Sequence, residues 1–162
     1  VTNTEAVVNG GKPSIIFNAN FQQWTTQGIL FIVIAMLIVA KSKQLKALSK
    51  IALVPALVNI GEPLTFGLPL VLNFDIFVPY IIVFALCGFT PYMACKLGLM
   101  NIPYVGVPFT LPAIVKVFFM SMDFRAVIVY LVNGALCVLI MIPFMKKYDA
   151  KLCAEEAASE AK

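Results

Sequence analysis

Ala126 to Phe144 is an apolar run with Asn133 as its one strongly polar side chain, and it closes on Lys146, Lys147 and Lys151. A run of that length reaches across the hydrocarbon core of a bilayer. Inside hydrocarbon every backbone N–H and C=O must be paired within the protein, so a spanning segment is a helix or part of a closed barrel. Ile76 to Cys95 is a second run of spanning length, ending on Lys96 in spite of Pro79 and Pro91. Gly28 to Ala40 becomes a third if part of 20–27 joins it. Of the 162 residues 61% are hydrophobic and 12% charged, against about 45–50% and 25% in soluble domains. A soluble fold of this length has no interior large enough to hide so much apolar surface. The fold class expected is all-α: a polytopic transmembrane helical protein set in membrane lipid.

The formal charge of +4 comes from lysines gathered outside the apolar runs. Such clustering is a topology signal, so nucleic acid is not expected as a partner. Lysines 41, 43, 46 and 50 mark the loop at 41–50 as cytoplasmic, and Lys146, Lys147 and Lys151 do the same for the tail at 145–162. With both clusters on one side, an odd number of crossings must lie between residues 51 and 125. One full span with two re-entrant pieces satisfies this, and so do three crossings. Residues 14–26 mix aromatics with amides and read either as an interfacial segment, with Trp24 at headgroup level, or as a pocket wall. The chain starts without Met and without a signal peptide's basic start and apolar run, which gives the expectation of a piece of a longer protein.

The stretch from Asn59 to Asn73 is the unusual one. Ile51–Ile60 and Leu64–Leu72 are each too short to cross alone, and Gly61, Pro63, Gly67 and Pro69 punctuate them. This reads as a re-entrant hairpin or a broken helix, which is tolerated at depth only when buried in protein or lining a wet cavity. Glu62 stands in the middle of it. An ionised group among apolar residues costs several kcal/mol or more and marks a pathway or a binding site. Lys96, Lys116, Asp123 and Arg125 read instead as interfacial, the lysines reaching for the headgroups. A carboxylate accepts charge-assisted hydrogen bonds from paired sugar hydroxyls. Asn59 and Asn73 offer amide contacts, and Phe109 and Thr110, in the Phe-Thr-Leu-Pro turn, an aromatic face with a hydroxyl beside it. No histidine is present, Cys87, Cys95, Cys137 and Cys153 have neither zinc-type nor redox-motif spacing, and no phosphate-binding loop occurs. No catalytic residue, metal site, cofactor or phosphoryl-carrying residue is therefore expected in this chain.

Asn59-Ile60-Gly61-Glu62-Pro63-Leu64-Thr65-Phe66-Gly67-Leu68-Pro69 resembles the Asn-x-x-Glu-Pro-x-x-Phe-Gly-Leu-Pro signature of enzyme IIC, the membrane component of sugar phosphotransferase systems, in the lactose/cellobiose family. Ser42-Lys43-Gln44-Leu45, Ala52-Leu53-Val54-Pro55, Lys96-Leu97-Gly98, the Val107-Pro108-Phe109-Thr110 turn and Asp123-Phe124-Arg125-Ala126 extend the resemblance over roughly residues 27–156. It departs at Gly61, where the family commonly has Asn, and at Phe109, where it has Trp. The resemblance implies the carboxy-terminal part of one enzyme IIC transmembrane domain: 1–26 loop or interfacial, 27–144 membrane core, 145–162 cytoplasmic tail. It implies a homodimeric permease of the bacterial inner membrane that translocates a disaccharide such as cellobiose, diacetylchitobiose or lactose. The sugar is presented to phosphorylated enzyme IIB, the amino-terminal half of the same permease completing the site. The family's substrate-binding glutamate falls on Glu62. A non-transporting interaction or regulatory fragment derived from such a permease is the alternative reading, and an ion-coupled carrier a third.

Overall fold

The structure is a computed structural model that describes residues 2–68 and 73–160. Pro69 and Leu70–Leu72, the end of the Glu-Pro stretch, lie outside the described residues. In chain order the helices are α1 (Asn3–Val8), α2 (Ala19–Thr25), α3 (Gly28–Val39), α4 (Lys43–Leu57), α5 (Glu62–Gly67), α6 (Phe74–Lys96), α7 (Ala113–Ser121) and α8 (Phe124–Glu160). Three stretches are long and apolar enough to cross a membrane: Ala19–Val39, Phe74–Lys96 and Phe124–Glu160. The first combines α2 and α3 through a turn at Thr26 and Gln27, so the helix does recruit residues before Gly28. Trp24 is part of the core. It is 1% exposed and meets Tyr130 of α8 edge-on, with ring centroids 6.3 Å apart.

α8 is the shaft on which the rest is mounted. Gly134 lets Phe31 of α3 approach so closely that any side chain there would collide with the ring. On the other flank Cys87 of α6 and Cys137 of α8 touch at 3.9 Å, both fully buried. Asp75, in the first turn of α6, pairs with Lys147 (2.8 Å) and Lys151 of α8, while Asn101, just past α6, donates its N–H to Asp123 at the start of α8 (3.0 Å). α6 and α8 are therefore antiparallel. α3 runs parallel to α8, since Lys41 at its end meets Asp149. At 37 residues α8 is about 55 Å long, far beyond the roughly 30 Å of a hydrocarbon core. The apolar span and the charged tail are one continuous helix.

The projecting end of α8 holds the start of α4. A helix leaves its first four N–H groups without internal partners. Here the Leu45 N–H is taken by the Ser42 hydroxyl (3.3 Å), and those of Lys43 and Gln44 by the Glu156 carboxylate (3.0 and 2.9 Å). Asp149, 3% exposed, accepts from the Lys41 N–H (2.9 Å), the Ser42 N–H (3.0 Å) and the Ser42 hydroxyl (2.7 Å). Negative charge at a helix N-terminus also favours the dipole. Lys43 pairs with Glu160 at the exposed rim, and that carboxylate raises the lysine's pKa. So exposed a pair adds little stability.

The two topologies left open by the sequence are now distinguished. α4 leaves the lysine-rich end, turns at 58–61, and α5 comes back along it, with Gly67 against the Leu48 side chain. From the opposite end residues 97–112 descend without helix, and α7 climbs back, its Met120 carbonyl accepting from the N–H groups of Tyr104 and Val105 (2.9 and 3.1 Å). One full span, α6, thus lies between two pieces that enter and return. The lysines at 43–50 belong to the same helix as the apolar segment after them, where a surface loop was expected.

Replacing Asp149 with Ala orphans three donors at the base of α4. The expected loss is about 3 kcal/mol of stability, on the scale of hydrogen bonds to charged groups, read as a lower unfolding midpoint in detergent. Glu160→Ala, at the rim, leaves that midpoint within about 0.5 kcal/mol.

Candidate functional site

The site is built where the two re-entrant tips meet. α4 ends in a Schellman turn: the Asn59 N–H donates to the Ala56 carbonyl (3.1 Å) and the Ile60 N–H to the Pro55 carbonyl (2.9 Å), with Asn59 at φ +64°. Glycine is the usual occupant of that left-handed position. α6 ends in the same turn with Gly98 at φ +71°. Asparagine tolerates this backbone better than most residues, and here its side chain has work that glycine has no atoms to do. The Asn59 amide nitrogen donates to the carbonyls of Phe109 (3.1 Å) and Leu111 (3.0 Å). One amide group, 3% exposed, joins the tip of one re-entrant piece to the tip of the other. Both carbonyls belong to non-helical chain and would otherwise be unpaired at depth.

α4 has 15 residues, or about 22 Å of rise, long enough to carry its tip well inside a core roughly 30 Å thick from the lysine-rich end. Glu62 opens α5 three residues after Asn59, with Pro63 next to it and Gly61 before it. Among the described residues the Glu62 carboxylate has no hydrogen bond or ion pair, and it is exposed beside exposed Ile60 and Phe66. An unpaired carboxylate among exposed apolar side chains is a surface awaiting a polar ligand or a covering segment. At Gly61 a Cβ would come within 2.5 Å of the Ile29 side chain on α3. The absence of a side chain there is matched by its neighbour.

The structure ties Asn59 to the segment that carries Phe109 and Thr110, and Glu62 follows Asn59 by three residues at the start of α5. Phe109, 45% exposed, and Thr110, exposed, ride on the very segment whose carbonyls Asn59 holds. Asn59 spends its amide nitrogen on the protein, which leaves its side-chain oxygen as the available polar atom. Asn73 is elsewhere. It caps α6, its side-chain oxygen accepting from the Asp75 N–H (3.2 Å), at the lysine-rich end beside Lys147 and Lys151. It thus lies near the base of α4, away from the tip, and its amide serves here as a helix cap.

The burial of Lys116 beside Phe109 was missed by the sequence reading. An interfacial lysine extends to the headgroups, but Lys116 is 0% exposed on α7 and its ammonium lies 4.9 Å from the centroid of the Phe109 ring. The signal was its position seven residues after Phe109 on a short helix returning from the tip.

The family described as "Phosphotransferase system, EIIC" matches residues 1–88. A "putative permease IIC component YwbA" of Bacillus subtilis (strain 168) is 34% identical over 155 residues, covering 92% of this chain and 35% of that protein. A "PTS system lactose-specific EIICB component" of Lacticaseibacillus casei is 34% identical over 139 residues, covering 83% of this chain and 24% of that protein. Among solved structures, the transporter ChbC, described as the IIC component of the N,N'-diacetylchitobiose-specific phosphotransferase system, is similar with a TM-score of 0.91 and 33% identity. That match covers 96% of this chain and 38% of that one. The chain thus spans about a quarter to two-fifths of the length of the proteins it matches.

The bridge predicts an ordered pair of variants. Asn59→Gly keeps the turn and loses both hydrogen bonds, costing about 2 kcal/mol. Asn59→Asp sets a carboxylate against two carbonyl oxygens and costs at least about twice that. Thermal unfolding in detergent reads both, and equal midpoints would show that the amide donors do not hold the tips.

Proposed function

This chain belongs to the phosphotransferase-system EIIC family, and on that premise we propose that it is the carboxy-terminal part of a permease that translocates a disaccharide and presents it to phosphorylated enzyme IIB. The observation that carries the reading is the tip junction. Asn59 joins its own tip to the non-helical segment that carries Phe109 and Thr110, and Glu62 opens α5 three residues after Asn59. Broken helices meeting at the midplane are where many transporters seat their substrates. Glu62 accepts hydrogen bonds from adjacent sugar hydroxyls, the Asn59 side-chain oxygen takes another, the Phe109 ring covers an apolar face of a pyranose, and Thr110 lies at its edge.

The names printed for the similar proteins, diacetylchitobiose for ChbC and lactose for the casei protein, support a β-linked disaccharide as the substrate class. The fused name EIICB supports enzyme IIB as the phosphoryl donor. The chain's own residues bind and orient, and the phosphoryl group arrives from outside, a division suited to a transfer that needs chiefly positioning and charge stabilisation. The lysine-rich end, with 41–50 and 145–162, faces the cytoplasm by its positive charge. The amino-terminal half of the permease covers the open face at Glu62, and the complete permease is a homodimer of the inner membrane. A non-transporting fragment draws less support, since Gly61 is fitted to Ile29 and Phe109 keeps an aromatic ring at the junction.

Glu62→Gln in the intact permease removes the charge and keeps the shape. Affinity for cellobiose, diacetylchitobiose or lactose, whichever the permease takes, is expected to fall about tenfold or more, the scale of a charge-assisted hydrogen bond. Uptake falls with it. Equilibrium binding and transport that are both unchanged would remove Glu62 from the site.

A further inference from the structure

We propose that Lys116 is a positioning residue for the sugar site: its buried ammonium covers the inner face of the Phe109 ring and fixes which face that ring offers to the substrate. The inference rests on the placement of Phe109 in the site. It goes further by assigning the ring's orientation to a cation that the sequence reading put at the membrane surface.

Lys116 is 0% exposed, and its ammonium nitrogen has no hydrogen-bond partner among the described residues. An ammonium removed from water without an anion or an acceptor is costly. The group it does meet is the Phe109 ring, at 4.9 Å from the centroid. That is within the range in which a ring's negative face attracts a cation, and the attraction grows when both are desolvated. Ring and ammonium therefore stabilise each other's placement. Should the ring swing away, Lys116 would lose its one observed partner.

The backbone is held as firmly. The Phe109 carbonyl is bonded to Asn59, and the Lys116 N–H to the Pro112 carbonyl at 2.9 Å, in the first turn of α7. The ring is thus fixed at its main chain by one re-entrant piece and at its inner face by the return helix of the other. Its remaining surface, 45% of the residue, is open. A pyranose stacks only on a ring whose plane is set before it arrives, because ordering a loose side chain on binding subtracts from affinity.

The test is a double-mutant cycle in the intact permease, read as equilibrium affinity for the transported disaccharide. Lys116→Met keeps the length and apolar stem and removes the charge, and the buried site tolerates methionine. The expected result is affinity lowered about tenfold, with Lys116→Arg restoring most of it. In a Phe109→Leu background the same Lys116→Met change is expected to do nothing further. Unchanged affinity in Lys116→Met, beside a loss in Phe109→Leu, overturns this inference and leaves the site reading standing. An equal loss from Lys116→Met with and without the ring assigns Lys116 to general stability and also overturns it. If Phe109→Leu itself has no effect, the ring is not in the site, and both readings fall.

Discussion

Peptide groups that leave a helix in the middle of a bilayer have no water to turn to, and this fold is arranged around that need. Its two re-entrant pieces bring non-helical chain inward from opposite ends. The Asn59 amide lets each end on the other, taking the carbonyls of Phe109 and Leu111 together. The choice of asparagine in a left-handed turn follows from this. Glycine would suit the backbone better, as it does at Gly98, but would leave the two carbonyls bare. The same bridge that makes irregular backbone tolerable also fixes the segment of Phe109 and Thr110 to the turn just before Glu62.

Much of this was legible in the sequence. The span at 126–144 was readable because length and apolarity alone decide it, and the broken stretch around Glu62 because glycine and proline act locally. The resemblance to enzyme IIC, carried by the Asn-x-x-Glu-Pro block, agrees with the family match and with the likeness to ChbC. Other features depend on what lies beside a residue, which order along the chain does not encode. Trp24 has the composition of an interfacial anchor and is core, because α2 extends α3 and turns the indole onto Tyr130. Asn73 lies eleven residues from Glu62 in sequence and at the other end of the hairpin in space. Lys116 has the composition of a snorkelling lysine, but it sits in the first turns of a helix returning from the tip and is faced to a ring. The choice between one span with two re-entrant pieces and three crossings needed the contact of Gly67 with Leu48.

Electrostatics divide along the same lines. At the lysine-rich end the acids are committed: Asp149 and Glu156 to the start of α4, Asp75 to Lys147 and Lys151. At the tip Glu62 and Lys116 carry opposite charge, one exposed and the other enclosed, and neither has an ionic partner among the described residues.

The single long helix α8 carries a mechanical consequence. Asp123, just before its first residue, holds the Asn101 N–H ahead of one tip, and Glu156, in its last turns, grips the root of the other. A tilt or twist of this one rod therefore moves the anchorage of both re-entrant pieces at once, so that the two travel as a unit.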